Sequence, residues 1–156
     1  MTRNIFIIIG LLIFNFVTAM TVKLVLSFSD LDGSQLFDLG IGSLNLKYTL
    51  NTGINFGLAS QATDTRQMLL AIVALLISVG VIIHALKQDR FSLSLVAGLL
   101  AGGGITNAYE RLAYGGVFDY VNVRLNAYEN PYAFNLADIY IFIGALLFIA
   151  SKSARR

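Results

Sequence analysis

The chain has 156 residues, of which 56% are hydrophobic and only 13% are charged, and its formal net charge is +2. Soluble domains carry about 25% charged residues, so this composition argues against a water-soluble globule and predicts a membrane protein. The chain has no cysteine and one histidine, which excludes disulfides, thiolate ligands, a cysteine nucleophile and a multi-histidine metal centre. The small net charge, without a basic stripe, does not favour nucleic-acid binding.

Four apolar stretches predict transmembrane helices, because about 20 residues of helix cross the hydrocarbon core of a bilayer. They cover about residues 5–26, 68–86, 91–111 and 134–150. Between the first two, alternation of apolar and polar residues predicts an outer β segment over about 36–57. An outer loop over about 112–133 joins the last two. We therefore predict a single integral membrane domain over 1–156, an all-α bundle of four transmembrane helices with a small antiparallel β element.

The basic residues near the ends of these stretches predict the orientation of the chain, because cytoplasmic connections retain Lys and Arg. Six of them fall on one side: Arg3, Lys87, Arg90, Lys152, Arg155 and Arg156. We expect both termini in the cytoplasm and both longer connections outside.

Polar residues in or beside the apolar stretches are candidate functional groups, because burying them in a membrane is costly. Three clusters meet this description: Asn107, Glu110 and Arg111; Asp119; and Asn135 and Asp138. If Asp119 and Asp138 meet at the outer face, they can share one proton. One carboxylate then activates water while the other protonates the leaving group.

Each cluster also has a purely structural interpretation. The glycines Gly98 and Gly102 are typical of close helix packing. Glu110 can pair with its neighbour Arg111 at a helix end, and Asn135 can cap the fourth helix. Lys23, near the end of the first stretch, can extend its ammonium group to the membrane surface.

Three blocks of sequence resemble the lipoprotein signal peptidases, also called signal peptidase II. Asn51–Gly57 is similar to the family's Asn-x-Gly-Ala-Ala-Phe block. Residues 102–111 and 116–120 resemble Gly-Gly-x-x-x-Asn-x-x-Asp-Arg followed by Gly-x-Val-x-Asp-Phe. Phe134–Asp138 reproduces Phe-Asn-x-Ala-Asp. The blocks occur in the family's order, and with the topology they cover almost the whole chain.

The resemblance implies an aspartic endopeptidase of the bacterial inner membrane that works at the periplasmic face without a metal or cofactor. It implies cleavage of diacylglyceryl-modified prolipoproteins just before the lipidated cysteine, with the outer strands as a cradle over the substrate. Asp119 and Asp138 occupy the catalytic positions. Positions that contact substrate or globomycin-type inhibitors are occupied by Asn51, Gly53, Asn107, Arg111 and Asn135. We expect a monomer surrounded by membrane lipid.

Two departures from the family pattern leave alternatives open. Ala19 and Met20 stand where the family carries Asp-Gln ahead of the lysine at position 23, and Glu110 replaces an Asp. A catalytically divergent paralogue that binds lipidated peptides is one alternative. A small proton-coupled transporter using Glu110 is another, although acids at the outer ends of the stretches favour the peptidase.

Overall fold

The computed structural model describes residues 2–29, 33–38, 40, 42–53, 64–125 and 128–153. Within these ranges the chain forms four helices and four strands: α1 (Thr2–Ser27), β1 (Gln35–Asp38), β2 (Ser43–Asn51), α2 (Asp64–Gln88), α3 (Phe91–Tyr114), β3 (Val117–Leu125), β4 (Tyr128–Phe134) and α4 (Leu136–Ser153). Residues 54–57, which end the predicted outer β segment, and the basic residues Arg155 and Arg156 lie outside the described ranges.

The helices have the apolar character that the sequence predicts. Among the described residues, three helical segments are long and apolar enough to cross a membrane: Thr2–Ser27, Thr65–Gln88 and Phe91–Tyr114. The fourth predicted span corresponds to α4, whose apolar part Leu136–Ser151 is shorter. Large apolar side chains such as Phe6, Leu76 and Ile149 are exposed on the outside of the helices. Such a surface is unfavourable in water and suits a lipid environment.

The third helix, α3, is the centre of the bundle and packs against α1, α2 and α4. Two of its glycines allow the close approach. A Cβ atom built on Gly102 would lie 2.7 Å from Cγ of Asn15 in α1, and one on Gly103 would lie 2.4 Å from the Ala137 carbonyl oxygen in α4. The packing interpretation of Gly102 is therefore confirmed, and these two contacts bring α1 and α4 close to the α3 turn that carries Asn107.

The four strands form one antiparallel sheet in the order β1-β2-β3-β4. Strands β1 and β2 pair as the apolar alternation predicts. In β2 and β3, Thr49 lies opposite Asp119, and Asn51 lies opposite Val117. This register places Asn51, the first residue of the first motif block, close to the aspartate of the second block.

The segment over about 112–133, predicted as an outer loop, contains regular secondary structure. The helix continues to Tyr114 and ends at Gly115, whose φ of 69° is the left-handed conformation that favours glycine. Strands β3 and β4 follow. The apolar alternation test misses β3 because its buried positions include the polar residues Asp119 and Asn122. Pro131 is accommodated because β4 is an edge strand and its pairing with β3 is irregular there.

Candidate active site

Asp119 lies on β3 and is 4% exposed. Its two carboxylate oxygens accept hydrogen bonds from two amide side chains, at 2.8 Å from Asn51 Nδ2 to Oδ2 and at 3.0 Å from Asn135 Nδ2 to Oδ1. Burial nevertheless raises the pKa of Asp119 to about 6, because removal from water disfavours the charged form more than these bonds favour it. This carboxyl group is therefore half protonated near pH 6, whereas an exposed Asp is almost fully ionised at that pH.

The orientation of both amides is fixed by the backbone. Asn51 Oδ1 accepts the Gly53 N–H at 3.0 Å, and Asn135 Oδ1 accepts the Asp138 N–H at 3.0 Å. Because each amide oxygen is already engaged, each NH₂ group must point at Asp119. Gly53 has a φ of 120°, which other residues rarely adopt, so a glycine is required for the turn that holds Asn51.

Asp138 lies in the first turn of α4, and both of its oxygens also accept hydrogen bonds. The Oδ1 atom accepts Asn107 Nδ2 from α3 at 2.8 Å, and Oδ2 accepts the backbone N–H of Asn135 at 3.1 Å. With the return bond from the Asp138 N–H to the Asn135 side chain, this is a reciprocal helix cap. The capping interpretation of Asn135 is confirmed, and the same side chain also contacts the other carboxylate.

Asn107 and Arg111 complete the network from α3. Asn107 Oδ1 accepts a second bond from Asn135 Nδ2 at 3.2 Å. Arg111 Nη1 donates to the Asn107 carbonyl oxygen at 3.2 Å, while its Nε is buried without a hydrogen-bond partner among the described residues. The structure therefore brings together the seven residues that the resemblance assigns to the site: Asn51, Gly53, Asn107, Arg111, Asp119, Asn135 and Asp138.

Two structural interpretations of the sequence are wrong. Glu110 does not pair with Arg111: one of its oxygens lies 3.7 Å from Lys23 Nζ, and the other accepts the Phe118 N–H at 2.7 Å. Lys23 does not extend away from the bundle, since its side chain is 12% exposed and its Nζ lies 3.5 Å from the centroid of the Tyr114 ring. The contacts of Glu110 and Lys23 are made with residues on other helices and strands, which the neighbouring residues in the sequence do not indicate.

Sequence reasoning also missed two residues that support the site. Gln67, buried at the start of α2, donates from Nε2 to the carbonyl oxygen of Thr52. Its polarity beside an apolar stretch was an available signal. The hydroxyl oxygen of Tyr120 accepts the Leu136 N–H at 3.0 Å, for which the sequence offers no signal. In the parts of the chain that the structure describes, no three His, Asp or Glu side chains form a cluster suited to a metal ion.

Comparison with known proteins identifies the family. The family model described as Signal peptidase (SPase) II matches residues 7–153. The lipoprotein signal peptidase of Anaplasma phagocytophilum is 30% identical over 112 residues, covering 72% of this chain and 70% of the relative. That of Alteromonas mediterranea is 37% identical over 108 residues, covering 67% of this chain but only 58% of the relative.

A solved structure described as a bacterial membrane enzyme has the same fold, with a TM-score of 0.68 at 22% identity, covering 97% of this chain and 92% of that one. The match therefore extends to the apolar helices and the antiparallel sheet together. On the family match over nearly its whole length, this chain belongs to the signal peptidase II family.

Proposed function

We propose that this chain is an intramembrane aspartic endopeptidase that removes the signal peptide from diacylglyceryl-modified prolipoproteins by cutting just before the lipidated cysteine. The observation that carries the proposal is the link that Asn135 makes between the two carboxyl groups. Its side chain donates to Asp119 at 3.0 Å, and its backbone N–H donates to Asp138 at 3.1 Å. Asn135 is thus hydrogen-bonded both to the carboxyl group carried by β3 and to the one carried by α4.

In the proposed reaction the two acids hold one proton between them. We assign the proton to Asp119, because burial raises its pKa to about 6, and the base role to Asp138. Asp138 takes a proton from water while the water oxygen bonds to the scissile carbonyl carbon, and Asp119 donates its proton to the carbonyl oxygen. When the carbon–nitrogen bond breaks, the proton on Asp138 passes to the leaving amine, and Asp119 recovers its own from the collapsing intermediate.

The amides and the guanidinium group hold the reacting groups and the substrate. Asn51 and Asn135 keep the Asp119 carboxylate in one orientation, and Asn107 does the same for Asp138. The buried Nε–H of Arg111 can donate a hydrogen bond to a carbonyl oxygen of the substrate peptide. Such a bond is favourable because a buried donor without a partner is costly. Gly53 acts through its backbone N–H, which holds the Asn51 amide at 3.0 Å. Globomycin-type peptides would bind in the same place.

The apolar helices and the position of the site support a reaction at the surface of a membrane. The site lies where the sheet meets the adjoining ends of α3 and α4, and the helices expose large apolar side chains of the kind that lipid covers. With the predicted orientation, this junction faces the periplasm, and the chain acts as a monomer in the bacterial inner membrane. A lipid-modified substrate would reach the site from the bilayer.

The decisive experiment is cleavage of a diacylglyceryl prolipoprotein by the purified chain in detergent, with and without globomycin. Asp119→Asn and Asp138→Asn should each lower the rate by about 10³-fold or more, within the range attributed to acid–base groups. Asp38→Asn, the same change at an exposed position on β1, should leave the rate unchanged. Circular dichroism of each variant checks that it is folded.

The cleavage assay distinguishes the proposed enzyme from the alternatives. A wild-type rate in either active-site variant would refute the assignment of the pair. Binding of the lipidated peptide by a wild-type chain that forms no product would indicate the divergent binding protein instead.

A further inference from the structure

Glu110 is a buried acid that the proposed chemistry does not use, and it connects three elements. It lies on α3 and is 5% exposed. One carboxylate oxygen accepts the N–H of Phe118 on β3 at 2.7 Å, and the other lies 3.7 Å from Nζ of Lys23 on α1. A carboxylate buried to this degree needs compensating charge or donors, and these two contacts supply both.

The ammonium group of Lys23 is also surrounded. Its Nζ lies 3.5 Å from the centroid of the Tyr114 ring and 4.1 Å from that of Phe118, which is the geometry of cation–π contacts. The Phe118 ring stacks on Tyr48 of β2, with centroids 5.2 Å apart. Both the backbone and the ring of Phe118 are therefore held, the first by Glu110 and the second between Lys23 and Tyr48.

Phe118 immediately precedes Asp119, so whatever fixes its peptide group also fixes the strand that carries that acid. Ala19, one helical turn before Lys23 on α1, brings no carboxylate to the lysine. Among the described residues, Glu110 is the acid paired with Lys23. The resembled motif has the shorter Asp at position 110, and the additional methylene in this chain increases the reach of its carboxylate toward α1.

We propose that the Lys23–Glu110 pair is a positioning device: it holds the Phe118 peptide so that Asp119 meets the amides of Asn51 and Asn135. The inference rests on the proposed function, because the group being positioned is one of the two proposed catalytic acids. Glu110 and Lys23 are positioning residues that act through the backbone of β3.

The test compares Glu110→Gln, Lys23→Met and the double variant with Lys87→Met, a loss of the same charge at an exposed position on α2. Each single change leaves one buried charge without its partner. We expect kcat for prolipoprotein cleavage to fall at least about tenfold in each, because misplacement of a reacting group is costly. We expect KM to change less than about threefold, since the substrate-contacting side chains remain.

The double variant distinguishes an ion pair from two independent structural residues. It removes both charges while keeping similar side-chain volumes, and the amide oxygen introduced by Glu110→Gln can still accept the Phe118 N–H. We therefore expect its kcat to exceed the value obtained by multiplying the two single effects. Glu110→Asp, which keeps the charge and shortens the side chain, should retain more activity than Glu110→Gln.

Hydrogen–deuterium exchange supplies a readout that does not depend on activity. Amides in the segment 115–122 should exchange faster in Glu110→Gln and Lys23→Met than in the wild type, while Lys87→Met should match the wild type. Unchanged exchange together with kcat within about twofold of wild type would overturn the positioning role. If the wild-type chain cleaves nothing, the proposed function fails, yet the exchange comparison still decides whether the pair holds β3.

Discussion

Replacing Gly103 by alanine tests whether the packing of α3 on α4 sets the position of Asp138. A Cβ atom at position 103 would lie 2.4 Å from the backbone oxygen of Ala137 and 2.7 Å from Cγ1 of Ile141, whereas ordinary contacts begin at 3.4 Å. The isoleucine side chain can rotate away, but the backbone oxygen can move only with α4. The helix must therefore shift by about 1 Å relative to α3, and Ala137 immediately precedes Asp138.

The size of the effect follows from this displacement. Overpacking of this kind costs about 1–3 kcal/mol of stability. A misplacement of about 1 Å in a catalytic group can lower a rate by about 10²-fold. We therefore expect Gly103→Ala to unfold at a lower temperature in detergent and to cleave prolipoprotein about 10²-fold more slowly. Both quantities can be measured on the same purified sample.

The neighbouring glycine provides a matched control. A Cβ atom at Gly104 would meet the Ser78 hydroxyl oxygen at 2.6 Å, and that side chain can rotate, while the nearest backbone oxygen, that of Ala74, is 3.7 Å away. Gly104→Ala should therefore retain most of the activity. At Gly10 in α1 nothing lies within 4 Å, so Gly10→Ala should be neutral or slightly stabilising. Wild-type stability and rate in Gly103→Ala would refute the reasoning.

Two further predictions concern the charges of the site. Burial raises the pKa of Asp119 from 3.8 to about 6. Between these two values the folded chain keeps a proton that the unfolded chain has lost. The free energy of unfolding should therefore fall by up to about 3 kcal/mol as the pH rises from about 4 to about 6. Thermal unfolding across this range should show a smaller decline in Asp119→Asn than in the wild type; equal slopes would contradict the assignment. Arg111→Ala should weaken globomycin binding by about tenfold, measured by calorimetry, because it removes the buried Nε donor; unchanged affinity would exclude Arg111 from the binding site.

The sequence was informative wherever a strong local pattern existed. The apolar stretches predict the helices, although α2 begins at Asp64 and α3 extends to Tyr114, beyond the apolar edges. The polarity of single residues inside or beside these stretches was enough to select both aspartates and the amides Asn107 and Asn135, whereas Asn51 was indicated only by the resemblance. Such residues are costly in an apolar environment, and the structure shows that they offset this cost by hydrogen bonding to one another.

What the sequence did not predict depends on contacts between distant elements. Strand β3 has polar residues at buried positions, so its pattern is not that of a half-buried strand. Asp119 on this strand can nevertheless be buried, because it accepts hydrogen bonds from Asn51 on β2 and from Asn135 just before α4. The alternation test therefore fails at β3 because the inward face of this strand holds the hydrogen-bonded carboxylate of Asp119. In a chain of this kind, a segment between two spans that is rich in glycine and polar residues but lacks apolar alternation is therefore a candidate for a strand that carries site residues. The contact of Glu110 on α3 with this strand is not visible in the sequence, because it depends on the pairing of Glu110 with Lys23 and with the Phe118 N–H.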